Sequence, residues 1–145
     1  MNNEIITMNS YCTLEQNQVL CFDLLTTEEY ELLKSKMLIV NYKAGETICK
    51  QGTFASHIII LREGLVKLFI EGSGENLVLQ ILPPNNLIGL TSCFDNNHLF
   101  FYSAQAYQDS TIQMIDMVVF MQVLNSNAKF ATKMLSFLAE QSVIT

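Results

Sequence analysis

Tyr42-Lys43-Ala44-Gly45-Glu46-Thr47-Ile48-Cys49-Lys50-Gln51-Gly52 reads as turn, strand and turn in quick succession. Ala44-Gly45-Glu46 is a turn, Thr47-Ile48-Cys49-Lys50 a strand, and Gln51-Gly52 closes it off. Glycine adopts positive φ at little steric cost, so glycines bracketing so short a strand mark tight reversals of an extended chain. The same grammar continues outward. Residues 38–42 precede it as a strand, 56–62 follow, and Glu63-Gly64 turns the chain into 65–71. Gly72-Ser73-Gly74 joins that strand to 76–82 as a hairpin, and two more strands are predicted at 101–108 and 111–115. Short strands at regular spacing with glycine turns indicate a β-sandwich or jelly roll, not βαβ units.

Helices flank this β region. Thr26 with Glu29 forms a capping-box pattern, and Tyr30, Leu33 and Met37 recur behind it at helical spacing. Pro83-Pro84-Asn85-Asn86 interrupts the strands, a short helix is predicted over 87–93, and Asp95-Asn96-Asn97-His98 is a polar loop. Two helices close the chain, 117–124 and 127–142, joined at Asn125-Ser126. In the last one Phe130, Met134 and Phe137 share a stripe, with Leu135 and Leu138 on a neighbouring one. An apolar arc this wide exceeds what one small barrel covers. A homodimer is therefore expected, with Phe130, Met134, Leu135, Phe137 and Leu138 meeting the same helix of a second copy.

Composition narrows the function classes. The chain has 145 residues, half of them apolar and 15% charged, which suits one domain with a real core. Its net charge of -6 disfavours binding to a duplex, because that affinity comes largely from Lys and Arg neutralising phosphates. The sequence holds no apolar run long enough to span a membrane and no secretory leader, so a cytoplasmic protein is expected. Cys12, Cys21, Cys49 and Cys93 show no CxxC pair and read as reduced thiols. No HExxH, GxSxG or phosphate-cradling glycine loop occurs, and the chain is not expected to be an enzyme.

Residues 42–52, with a Gly-Glu turn, an apolar strand and a second glycine, resemble the first half of the cyclic-nucleotide-binding-domain signature. Ile58 to Leu61 followed by Gly64-Leu65-Val66-Lys67 resembles its next part, at matching spacing. The details are most similar to the sensory half of bacterial Crp/Fnr transcription regulators, and the resemblance runs over roughly 24–142. It implies a mainly β fold with flanking helices, a double-stranded β-helix (jelly roll) plus a C-terminal dimerisation helix. The expected organisation is an N-terminal extension at 1–23, the jelly roll at 24–116, and helices at 117–145 that include a truncated dimerisation helix. DNA would be bound only through the family's helix-turn-helix half, which residues 1–145 do not include.

The resemblance also places an effector pocket at Leu87, Gly89, Leu90, Tyr102 and Ser103. In cyclic-nucleotide binders a Gly-Glu pair opens the short helix, and an Arg followed by Ser or Thr lies beyond it. Here Leu90 stands at the glutamate position and Tyr102 at the arginine position. A buried phosphate without its guanidinium loses charge-assisted hydrogen bonds, each worth about 1.5–3 kcal/mol. Cyclic AMP or GMP is therefore not the expected effector. Three alternatives stay open: a small apolar or anionic metabolite, a diatomic gas bound through haem, and an interaction module with a vestigial pocket. For haem the leading ligand would be His98 and the second Cys93. An iron–sulfur cluster is disfavoured, since only Cys12 and Cys21 lie near the N-terminus and no cysteine stands near Gln113.

Overall fold

The computed structural model describes residues 22–144. Of the expected extension at 1–23, residues 1–21 with Cys12 and Cys21 lie outside the described residues, and Phe22 is buried in the core. After a 3-10 turn at Phe22–Leu24 comes α1 (Thr27–Ser35), and its capping box forms as read. Thr26 Oγ1 accepts from the Glu29 amide at 3.1 Å, and Glu29 Oε1 accepts from the Thr26 amide at 2.9 Å. Met37 is not on this helix. It opens β1 (Met37–Tyr42), because the ladder with the eighth strand begins there, Met37 opposite Ile115.

The remaining strands are β2 (Thr47–Cys49), β3 (His57–Glu63), β4 (Val66–Glu71), β5 (Asn76–Leu82), β6 (Asn86–Ile88), β7 (Ser103–Ala106) and β8 (Ser110–Asp116). They form two antiparallel four-stranded sheets, ordered β1-β8-β3-β6 and β2-β7-β4-β5. The fold is mainly β, a jelly roll with flanking helices. Ile58, Ile59, Ile60 and Leu61 of β3 are all buried, so both faces of this strand are covered. That explains why its sequence is a continuous apolar run instead of an alternating one. Gly64 holds the β3–β4 turn at φ 99, where a Cβ would lie 2.8 Å from Ser110 Cα. No larger residue fits that corner.

The region after the prolines differs from expectation. Leu87 and Ile88 lie in β6, paired with Ile60 and Ile59 of β3, and the helix is only α2 (Leu90–Cys93). Gly89, at φ 96, divides the apolar run into a strand and a helical turn.

After β8, Asp116 caps α3 (Met117–Ser126), accepting from the Val119 amide at 3.1 Å. Asn127, not Asn125-Ser126, is the joint. Its Oδ1 accepts from the Phe130 amide at 2.9 Å and so starts α4 (Ala128–Ile144). Its Nδ2 donates to Glu29 Oε1 at 2.8 Å, tying the α3–α4 joint to α1.

The stripes of α4 are divided between two roles. Phe130, Met134 and Phe137 are buried in this chain's own core, where Phe130 packs edge-on against Phe120 at 5.8 Å. These three were expected at a dimer interface, and the barrel and α3 consume them instead. Leu138 is half-buried, and Leu135 remains 50% exposed.

Candidate functional site

Gly89 sits where β6 gives way to α2, and a Cβ there would lie 3.2 Å from Phe100 Cε1. Its amide points at Tyr102 and donates to the phenol oxygen at 3.0 Å. Burial pushes that phenol up to about 12, so the ring oxygen is a neutral hydroxyl across the physiological range. Leu87 and Leu90 flank this contact and are both buried, Leu90 to 1% exposure. Four of the five pocket residues therefore converge as a closed corner. The Gly89 amide thus already has a partner within the chain.

Ser103 belongs to a different cluster. In the β4–β7 ladder Ala104 lies opposite Leu68 and belongs to the core, so its neighbour Ser103 faces the other way. The Ser103 hydroxyl donates to Glu71 Oε2 at 2.6 Å and accepts from the Gln51 amide at 2.9 Å. Lys50 Nζ donates to both oxygens of Glu71 at 2.8 Å. Lys50, and after it Ser103, holds the Glu71 carboxyl below its ordinary value. Sequence reasoning missed Glu71. The only available signal was its position as the last residue of β4 before Gly72, and that does not reveal which strand it reaches.

The two candidate haem ligands, His98 first and Cys93 second, sit in different surroundings. Cys93 is buried against Met117, its Sγ 3.5 Å from the thioether sulfur, and burial pushes its thiol up to about 12. Such a thiol stays protonated and is a poor ligand. His98 lies on the following loop at φ 52, its Nδ1 2.8 Å from the Ser92 carbonyl and its ring edge-on to Phe54. Among the described residues no group of three or more His, Cys, Asp or Glu is placed to hold a metal ion, and no helix is long and apolar enough to cross a membrane.

With this geometry in hand, comparison with known proteins is informative. The cyclic nucleotide-binding domain family matches residues 39–127. A cGMP-dependent protein kinase of Plasmodium berghei is 35% identical over 54 residues, which is 37% of this chain and 6% of the kinase. The sensor domain of the transcriptional regulator DNR from Pseudomonas aeruginosa superposes with a TM-score of 0.81 at 20% identity, covering 97% of this chain and 91% of that one. The Thermus thermophilus catabolite activator protein superposes at 0.70 with 23% identity, over 86% of this chain and 58% of its own. The family match spans more than half of the 145 residues and takes in both Gly89 and Tyr102: the chain belongs to the cyclic nucleotide-binding domain family.

Proposed function

We propose that this chain is the sensory domain of a Crp/Fnr-type transcription regulator and that its effector is not a cyclic nucleotide. The Gly89–Tyr102 hydrogen bond carries this reading. A phosphate oxygen arriving at Gly89 would have to displace a buried hydroxyl, with neither a guanidinium nor a glutamate to replace it. With Leu87 and Leu90 beside it, the corner suits an apolar effector that parts Leu90 from Tyr102 as it enters. Because α2 touches α4, a ligand that moves α2 is felt by the helix facing a second copy. The domain works in the cytoplasm as a homodimer through the outer stripe of α4. With a net charge of -6, it leaves DNA contact to another part of the regulator.

Rebuilding the family's polar groups tests this reading. The double variant Leu90→Glu, Tyr102→Arg frees the Gly89 amide and restores a guanidinium and a ribose acceptor. Calorimetry should show cyclic AMP binding at least about tenfold tighter than in the wild type, a gain of roughly 1.4 kcal/mol. No gain in a folded double variant would mean that this corner is not what excludes the nucleotide.

A haem-based gas sensor is the second reading. It rests on His98, whose Nδ1 is oriented by the Ser92 carbonyl, the kind of contact that turns the other nitrogen toward a metal. Haem titration should then give a Soret band that His98→Ala abolishes, and no stoichiometric uptake would end this reading.

A further inference from the structure

A cleft of about 340 Å³ opens beside Phe100, and none of Leu87, Gly89, Leu90, Tyr102 or Ser103 lines it. It lies between β2, an edge strand of one sheet, and the face of the other sheet that carries Ile59 and Met114. Those two residues are ladder partners, so they form one apolar floor. Phe54 and Phe100 supply the wall, and Phe54 keeps 62% of its surface exposed at the mouth.

The rim is pre-formed. The Gly52 amide donates to the Phe100 carbonyl at 2.9 Å, the Phe100 amide to the Thr53 carbonyl at 2.9 Å, and the Ala55 amide to the His98 carbonyl at 2.8 Å. These rungs hold residues 52–55 in place before any ligand arrives, which lowers the ordering cost of binding. The free donors on the rim are N–H groups, since the Thr53 hydroxyl is spent on the Lys50 carbonyl at 2.7 Å. Ser56 Oγ lies 2.8 Å from His57 Nδ1, and with the hydroxyl donating, the ring carries its own N–H at Nε2. Thr53, Ser56 and Lys50 complete the rim. Two of the three Lys50 donors go to Glu71, which is not part of the wall. The chain has 14 acidic residues against 8 basic ones, yet among the described residues no Asp or Glu lines this cleft. An apolar floor, an aromatic wall and a rim whose free donors are N–H groups match one ligand chemistry.

We propose that this cleft is a second ligand site, for a small organic anion with an apolar or aromatic body, such as a monocyclic aryl carboxylate. The ring would lie on Ile59 and Met114 beside Phe54 and Phe100, and the carboxylate would face His57 and Lys50. The volume falls in the range of pockets for small ligands and admits one ring. The site shares none of the residues of the Gly89–Tyr102 corner, so the two readings stand or fall separately.

The test uses 4-fluorophenylacetate as probe, with 4-fluorophenethylamine as its cationic counterpart, followed by fluorine NMR and by amide shifts of the full chain. The acid should saturate with a Kd below about 1 mM and bind at least about tenfold tighter than the amine. Its shifts should centre on Thr53, His57 and Met114. His57→Leu should weaken the acid by about fivefold or more and leave the amine unchanged. Thr47→Trp, at an exposed rim position that disturbs no core residue, should block the probe altogether. Equal binding of acid and amine, shifts centred on Gly89 and Tyr102, or no saturation would each overturn the proposal.

Discussion

The Gly89–Tyr102 corner and the outer face of α4 have resolved their surplus groups in opposite ways. At the corner the Gly89 amide has been given a partner from the same chain, and the pocket is closed around it. On α4, Phe130, Met134 and Phe137 are covered by the chain's own barrel while Leu135 stays half exposed. The difference is one of cost. A buried N–H without a partner costs about 1–3 kcal/mol in every molecule, so it must be satisfied within the fold. An exposed leucine merely forgoes burial, and it can wait for a second copy. Polar closure at the corner therefore speaks to what is kept out. The uncovered apolar stripe speaks to what is let in.

The largest expected effect lies on the α4 side of this comparison. Leu135→Glu combined with Leu138→Glu should leave a folded monomer by light scattering, with association lost. An unchanged oligomeric state would show that the exposed stripe is not the contact. On the other side, Tyr102→Phe orphans the Gly89 amide and should lower the unfolding free energy by about 1–3 kcal/mol in urea titration. A change near zero would mean that water reaches the amide and the corner is open. The difference should also depend on pH in one direction. The Tyr102 phenol is raised from 10.0 to about 12 in the fold, so the unfolded chain loses this proton first. The contribution is fully present below 10.0 and fades as pH rises toward 12, where the wild type and Tyr102→Phe should converge.

Much of the fold was legible because its turns are glycine turns. Gly45, Gly52, Gly64 and Gly74 all take positive φ, and the strands between them lie within a residue or two of their expected ends. β6 was not legible. Leu87, Ile88 and Leu90 form one apolar run around Gly89, and only the ladder to β3 separates strand from helix. The site shows the same division. Gly89, Leu90 and Tyr102 could be named from their positions in a motif. The bond between Gly89 and Tyr102 depends on how the intervening loop returns, which no spacing reveals. Ser103 turned out to face Glu71 because pairing with Phe69 sets its side of β7. On α4 the width of the apolar arc was correctly visible, but periodicity cannot say which neighbour covers which stripe.

This member of the cyclic nucleotide-binding domain family occupies its Gly89 amide with its own tyrosine. Isothermal titration of the wild-type chain with cyclic AMP tests it most directly. No saturable heat is expected up to about 1 mM nucleotide, whereas a Kd of roughly micromolar order would mean that the tyrosine does not keep the nucleotide out.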